Sequence, residues 1–403
     1  MKYRDSISNV SSIHDCYGCG VCSSACPQNI ISMVLNKNGF YEPNITEYNK
    51  CINCGICLEV CAFNHSECAL TYRTIKSWAA WSNDKDIRQK CSSGGIGFEI
   101  GKQLIEQGYH AVGCRYDIKC QRAEHYIATS VEEFVQSIGS KYIQSYTEQA
   151  FKQILRKGQK YLITGTPCQI DSFRRMIQKF HCDNNFILMD FFCHSVPSMW
   201  LWNTYIKMLQ PKIGRVTYAS WRNKFKFGWH DSYLMGIDGD RKSKYVKDWG
   251  NHESLFKERE TFIQSRMTQG DLFYKLFLGD FCSGLHCEKN CKYKYNNSSA
   301  DIRIGDLWGK EYQNNDKGVS ALIAFTDKGR KVINSLYGVT LIEHSFDVVA
   351  EGQMKENIKM SKRNKTIMWI LRRKFVLYPC MWNIIFRINA FPYKVIHKVK
   401  KIL

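Results

Sequence analysis

Past residue 70 the chain alternates two kinds of hydrophobic patterning. Short apolar runs of strand length are followed by segments whose apolar residues recur every three or four positions. SWAAWS (77–82), HAVGCRY (110–116), EHYIATS (124–130), KYLIT (160–164) and NFILMDFFC (185–193) read as strands. GGIGFEIGKQLIEQG (94–108) reads as a helix, with Phe98, Ile100, Leu104 and Ile105 at helical spacing. VEEFVQSI (131–138), AFKQILRKG (150–158, with a glycine stop) and QIDSFRRMIQKF (169–180) read as helices too. That order predicts α/β units with a parallel portion. Between 213 and 241 the pattern changes. VTYASWR (216–222) and DSYLMGIDGD (231–240) predict antiparallel strands with a turn at Asp238-Gly239. ADIRIGDLWG (300–309), VSALIAF (319–325) and VTLIEH (339–344) predict three more strands. Before residue 70, IISMVLNKNGFYEPNI (30–45) predicts a hairpin turning at Asn38-Gly39.

Two cysteine runs flank that hairpin. CYGCGVCSSACP places Cys16, Cys19 and Cys22 two residues apart, then Cys26 and Pro27. CINCGICLEVC repeats the spacing with Cys51, Cys54, Cys57 and Cys61. Three thiolates in one tight loop grip one face of an iron–sulfur cube, and the fourth reaches the other cube. Cluster one is therefore assigned Cys16, Cys19, Cys22 and Cys61, and cluster two Cys51, Cys54, Cys57 and Cys26. Gly18, Gly20 and Gly55 suit a backbone curling close to sulfide. Structural zinc sites are the bland alternative, disfavoured because zinc knuckles pair two CxxC units across a longer gap. A disulfide framework is less apt still. A chain of 403 residues needs no staples, and it shows no signal peptide.

The internal duplication ends with those runs; no solenoid-type repeat follows. The length allows two or three domains, and 19 cysteines with metal-type spacing predict a reducing cytoplasm. The formal charge of +20 is unevenly spread. Residues 1–70 carry four Lys/Arg against six Asp/Glu; residues 351–403 carry 13 against two. No nucleic-acid module is recognisable, so acidic electron carriers and anionic lipid are the expected partners of that charge.

A third cysteine group, FCSGLHCEKNCKYKY (281–295), holds Cys282, Cys287 and Cys291. Three thiols without a fourth imply a metal whose last ligand comes from elsewhere. Cys168 and Cys193 each follow a predicted strand, where α/β folds gather their sites, and the residues do not choose between them. Free thiols buried as small hydrophobes are the alternative. Ser92, Ser93, Gly94 and Gly95 stand at one helix start, and Gly165, Thr166 and Pro167 at another. Such loops suit a dinucleotide pyrophosphate, although each alone is by default an ordinary helix cap. GxGxxG is absent, so a nicotinamide-type site is not supported. Cys168, at a helix start, is expected to have a lowered pKa.

SSGG (92–95), GSKYIQS (139–145), TGTPCQIDSFR (164–174), CHSVPS (193–198) and ADIRIGDLWG (300–309) together resemble the coenzyme F420 hydrogenase/dehydrogenase beta-subunit family. The resemblance covers roughly residues 10–350. It departs at Ser195, where glycine is usual, and in the three residues between Cys287 and Cys291, where two are common. The resemblance implies FAD, a third 4Fe–4S cluster, and electron passage between a carrier such as ferredoxin and a two-electron small-molecule acceptor. A deazaflavin coenzyme and a polysaccharide-pathway substrate are both open as that acceptor. On this reading Lys141 sets a positive charge near FAD or remains a solvated lysine. His194 donates a proton to flavin or substrate, or is structural. Asp301 and Asp306 hold turns or bind hydroxyls of the cofactor.

The expected architecture is α+β / α/β in three parts. Residues 1–70 form a bacterial ferredoxin-like domain. Residues 71–350 form a mixed α/β flavin-binding, iron–sulfur catalytic domain, and 351–403 a basic amphipathic helical tail. In the tail Arg372, Arg373, Lys374, Arg387, Lys398, Lys400 and Lys401 mix with Trp369, Phe375, Trp382, Phe386 and Phe391. An interfacial helix on the inner, anionic face of a membrane and a helical hairpin on the core both fit it. The expected function is an iron–sulfur flavoprotein oxidoreductase. A non-catalytic electron-relay subunit is the second reading and a zinc scaffold the third. Homo-oligomerisation is left open.

Overall fold

The computed structural model describes residues 9–71, 75–155, 157–244, 260–373 and 382. Its largest sheet has eight strands. In chain order they are β3 (Lys76–Ser82), β4 (His110–Asp117), β5 (Arg122–Ala128), β6 (Tyr161–Thr164), β7 (Phe186–Phe191), β11 (Ile302–Asp306), β12 (Ser320–Ala324) and β13 (Val339–Glu343). The spatial order is β13-β3-β12-β11-β7-β6-β4-β5. β4, β6, β7 and β11 pair in parallel, and the flanks are antiparallel. The parallel centre follows from the sequence. Apolar runs such as Tyr161–Ile163 and Phe186–Met189 are buried on both faces, as strands covered by helices on each side must be.

The helices α1 (Val21–Ala25), α2 (Ile56–Glu59), α3 (Lys85–Lys90), α4 (Ile96–Glu106), α5 (Val131–Phe134), α6 (Glu148–Gln153), α7 (Pro167–Lys179) and α8 (Met199–Ile213) precede the last third of the chain. One layer of core lies under α4, with Phe98, Ile100 and Leu104 against Phe134 and Leu322. Another lies under α7, with Ile170, Phe173 and Ile177 against Tyr161 and Phe186. A separate antiparallel sheet, β8 (Val216–Ser220), β9 (Leu234–Gly239) and β10 (Ile263–Arg266), packs with α8 around Trp202, Trp221 and Phe273.

The expected strands and the main helices are present. α6 ends at Gln153 rather than running to Gly158, because Ile154 turns extended and buries its side chain. Asp238 and Gly239 are not a turn. They pair with Tyr218 and Val216 inside the sheet, and the chain turns after Gly239, whose amide donates to the Lys242 carbonyl. α8 had no counterpart in the sequence reading.

The hairpin of the N-terminal module is β1 (Ile31–Leu35) with β2 (Tyr41–Ile45), and Gly39 sits in its turn at φ +77°. The rest of the chain holds this module largely by its main chain. Gln144 bonds Tyr41 N and Tyr17 O, Thr147 bonds Cys19 O, and Glu148 accepts from Met33 N. Lys292 donates to the carbonyls of Ala62, His65 and Glu67.

In the tail, a helix over Asn364–Arg372 buries Ile367, Met368, Ile370 and Leu371 in the core that contains α8. Trp369 faces out and carries the Arg373 guanidinium over its ring. Trp382 is buried. Lys374, Phe375, Phe386, Arg387, Phe391, Lys398, Lys400 and Lys401 lie outside the described residues. Among the described residues no helix is long and apolar enough to cross a membrane.

Candidate iron–sulfur and cofactor sites

The cysteine spacing becomes two cavities. The first is walled by Cys16, Cys19, Cys22 and Cys61 with Val10, Tyr17, Met33 and Phe63, and encloses about 330 Å³ including space open to solvent. The second is walled by Cys26, Cys51, Cys54 and Cys57 with Ile30, Ile31 and Ile45, and encloses about 360 Å³ on the same basis. Each set holds three thiols from one run and the fourth from the other, as the spacing predicts. Gly20 and Gly55, both at φ +76°, open α1 and α2 and let each loop turn back over its cavity. Among the described residues no three His, Cys, Asp or Glu side chains converge tightly enough for a single metal ion. Four thiols around each cavity are instead the donor set of a soft-ligand iron–sulfur cluster. Burial also pushes the free thiols up: Cys61 to about 12, and Cys16, Cys19 and Cys22 in the same direction. A buried thiolate is costly without a cation to meet it, and iron supplies that cation.

The two cavities differ in exposure. Cys54 is exposed and Cys51 half-buried, and Ile52 and Tyr48 stand in solvent beside them. Cys16, Cys19, Cys22 and Cys61 are all buried.

A third set of thiols forms where the parallel strands end. β6 runs into Cys168 at the first turn of α7, and β7 runs into Cys193. Burial above all pushes Cys168 up, and the neighbouring Cys193, Cys19 and Cys287 add to it. Cys193 is pushed to about 11 by burial, opposed by Lys294 and reinforced by Cys291. Burial raises Cys287 as well, with Cys193 and Cys291 adding to it. Cys168, Cys193, Cys287 and Cys291 therefore share one neighbourhood. The choice between Cys168 and Cys193 dissolves, since both are there.

Cys282 is not. It is fully buried in the apolar core with Phe273, Phe277 and Trp202, and its thiol donates to the Leu276 carbonyl at 3.8 Å. The chain reverses at Asp280 (φ +54°) and turns Cys282 away from the other two. The expectation of a low pKa for Cys168 also fails: burial outweighs the helix N-terminus, which Thr166 and Gln169 already cap.

The two glycine-containing loops do not meet. Three strands lie between β3, which leads toward Ser92–Gly95, and β6, which leads into Gly165–Pro167. The first loop itself sits on β12, where Ser93 Oγ donates to Val319 O, so β11 and β7 part it from β6. In the second loop the Gly165 amide bonds Met189 O and the Thr166 amide bonds Gln169 Oε1. Its donors serve the fold. In the first, Gly94 packs so tightly that a Cβ would lie 2.4 Å from Ala80 O, and its amide donates to Ser320 Oγ.

Cations gather around the first loop. Lys141 is half-buried and donates to the carbonyls of Gln136, Ser137 and Ile138 at 2.9–3.1 Å; desolvation of its ammonium lowers it to about 8. Lys224 bonds the carbonyls of Arg88, Ser93 and Lys317, and burial lowers it to about 8. Lys224, Lys90 and Lys141 all act electrostatically on the buried Cys91 beside Ser92. Sequence reasoning missed Lys224 and Arg222. The only signal was a basic residue every second position in WRNKFKF (221–227).

Arg222 donates to Asp306 through both terminal nitrogens and to Ser92 O, and lies against Tyr233 and Trp308. Asp306 also accepts from Trp229 Nε1 at 2.7 Å. Asp301 is structural: it accepts from Leu188 N and Thr326 Oγ1 and pairs with Arg174.

His194 faces Asp280 Oδ1 at 3.0 Å through Nε2 and Met354 Sδ at 3.1 Å through Nδ1. From it a row of rings runs through Phe277, Tyr142, Tyr233, Trp308 and Trp229, with centroids 4.8–6.5 Å apart. The row joins the third thiol set to the cationic Ser92 turn. Segment 139–145 makes the same connection: the Ser140 amide donates to Ser92 Oγ at one end, and Ser145 Oγ accepts from Gln169 Nε2 at the other.

A dicluster thiol module joined to a mixed α/β body defines an iron–sulfur electron-transfer protein. Comparison with known proteins narrows the class. Residues 77–152 match the N-terminal family model, and residues 158–345 the C-terminal one, of the "Coenzyme F420 hydrogenase/dehydrogenase, beta subunit". Residues 15–65 match the "4Fe-4S dicluster domain". The chain belongs to the coenzyme F420 hydrogenase/dehydrogenase beta-subunit family and is an iron–sulfur electron-transfer subunit of that type. A chain of the F420-reducing [NiFe] hydrogenase complex from Methanosarcina barkeri, in its xenon-derivatised structure, superposes with a TM-score of 0.43 at 14% identity. The match covers 76% of this chain and 90% of that one. No curated protein matches the chain.

Proposed function

We propose that the protein is an FAD-dependent iron–sulfur oxidoreductase. It takes single electrons from a ferredoxin-type carrier, passes them along three 4Fe–4S clusters, and delivers them in pairs to a small-molecule acceptor. The observation that carries this reading is the sorting of twelve thiols into three sets of four in series. The exposed set Cys26/Cys51/Cys54/Cys57 is the entry. Cys16/Cys19/Cys22/Cys61 is the middle. Cys168/Cys193/Cys287/Cys291 is the inner end, with Cys19 close enough to act on Cys168.

FAD fits the cationic turn, where Ser92, Ser93, Gly94 and Gly95 open α4 beside Lys141 and Lys224. The buried Lys224 and the half-buried Lys141 bond to carbonyls, with no carboxylate in ion-pair range of either among the described residues, and that favours a polyanion there. When bound, a flavin supplies the exchange between one- and two-electron chemistry. Gly165–Pro167 would then serve the third cluster rather than phosphate. His194 stands next to Cys193 with Asp280 orienting its ring, so it holds a proton at Nε2 or Nδ1 near the inner end of the path.

Anaerobic protein should contain about twelve iron and twelve sulfide, on the count of three cubes, and one FAD. Dithionite should reduce all of them. Protein with iron but no flavin, which turns over no acceptor, would leave the electron-relay reading in place.

A further inference from the structure

Helix α7 touches two thiol sets with one face. Cys168 stands in its first turn, and Ser172, one turn later, reaches across to the N-terminal module. Ser172 is fully buried. Its Oγ lies 3.2 Å from Cys19 Sγ and accepts the Ala62 amide at 3.0 Å. In the metal-free chain the Cys19 thiol is the donor of that pair. A thiolate bound to iron has no hydrogen to give. The hydrogen between the two atoms must then be the serine's own, since the Ala62 amide holds the oxygen in place from the other side. Among the described residues no other acceptor faces that hydroxyl.

We infer that Ser172 is a positioning residue that donates an O–H···S bond to the Cys19 ligand of the middle cluster and thereby raises its reduction potential. A cluster gains negative charge on reduction, so a hydrogen bond to a ligand sulfur stabilises the reduced state more than the oxidised one. The bond is dry, which strengthens it. The structural consequence is directional. The module's own sequence makes two near-identical cysteine sets. At the entry set the side-chain hydrogen bond to a ligand sulfur comes from inside the module, Asn9 Nδ2 to Cys51 Sγ at 3.7 Å, whereas at the middle set it comes from the body through Ser172. The body of the protein thus differentiates two otherwise similar clusters from outside the module. The middle cluster becomes easier to reduce than it would be without that bond.

This inference rests on the proposed cluster at Cys16/Cys19/Cys22/Cys61, and the experiment separates the two. Anaerobic potentiometric titration followed by electron paramagnetic resonance is run on the full-length protein and on Ser172→Ala. The Cys16→Ser variant assigns the middle-cluster signal by its loss. If Cys16→Ser removes no iron, the cluster reading fails. If the signal is assigned, a more negative midpoint in Ser172→Ala at full iron content supports the inference, with the other midpoints unmoved. An unchanged or more positive midpoint overturns it. Should Ser172→Ala not hold its full iron, Ser172→Cys decides. Its weak thiol donor keeps the shape of the site, and a downward shift supports the inference where an unmoved midpoint overturns it.

Discussion

Asp171 accepts a hydrogen bond from the Tyr293 hydroxyl at 2.8 Å, and both residues are buried. The pair joins α7 to the loop that follows Cys291. Asp171 also takes the Ala69 amide at 2.6 Å and the Ser299 hydroxyl at 2.5 Å, and faces Lys292 and Arg175 at 3.5 and 3.7 Å. Deleting the carboxylate leaves these donors and charges unmet. Asp171→Ala should cost on the order of 3–5 kcal/mol, read as a drop in the urea midpoint of anaerobic protein. Asp171→Asn, which keeps one carbonyl oxygen, should lose less.

Cys193 and Cys282 give the sharpest contrast in the third thiol set. Cys193→Ala should remove about four iron, one cube, while leaving two clusters. Cys282→Ala should leave iron unchanged and cost only within roughly 0.5–3 kcal/mol of stability, as a core substitution does. Iron loss from Cys282→Ala would return it to the ligand set.

Gly20 and Gly55 have the same φ of +76°, yet their surroundings differ. A Cβ at Gly20 would lie 2.1 Å from Thr147 Oγ1, whereas one at Gly55 meets nothing within 4 Å. Gly55→Ala should cost only the left-handed backbone strain, about 1–2 kcal/mol. Gly20→Ala should cost more and loosen the module from the body. Limited proteolysis between the two, faster in Gly20→Ala alone, checks this.

His125 is buried on β5 with Nε2 against the Thr164 carbonyl at 3.0 Å, and burial lowers it to about 4. The unfolded chain therefore binds the proton first. Stability is full above the ordinary histidine value of 6.5 and falls as the pH drops toward 4. Between pH 7.5 and 5.5 this group alone should remove about 1.4 kcal/mol. His125→Gln should flatten that part of the curve. An equal slope in both proteins would place the effect elsewhere.

The first two thiol sets were legible because each is local. Three ligands share one loop, and the hairpin between the runs returns the fourth. The third set was only half legible. Cys168 and Cys193 are 25 positions apart and meet only because β6 and β7 are neighbours, which strand patterning suggests but does not order. Cys282 misled for the opposite reason. It is five positions from Cys287, yet a reversal at Asp280 gives it to the apolar core. Lys141 was singled out for its charge, but its three carbonyl partners depend on how 135–138 turns. α8 went unread although Met199, Trp202, Tyr205 and Ile206 carry a helical period; Pro211 near its end masks the pattern.

The grip on the N-terminal module has an evolutionary corollary. Gln144, Thr147, Glu148, Asp171, Ser172 and Lys292 clasp peptide groups at Tyr17, Cys19, Met33, Tyr41, Ala62, His65, Glu67 and Ala69, and of these six Ser172 also meets a module side chain, the Cys19 thiol. Such a clasp reads backbone shape and is indifferent to the identity of what hangs from it. Away from the sulfur ligands, the tight glycines and the apolar contacts of Val21, Ala25 and Val60 with the body, the module is free to drift in sequence without coming unfastened. The constraint falls on the host instead, whose clasping side chains have little room to vary.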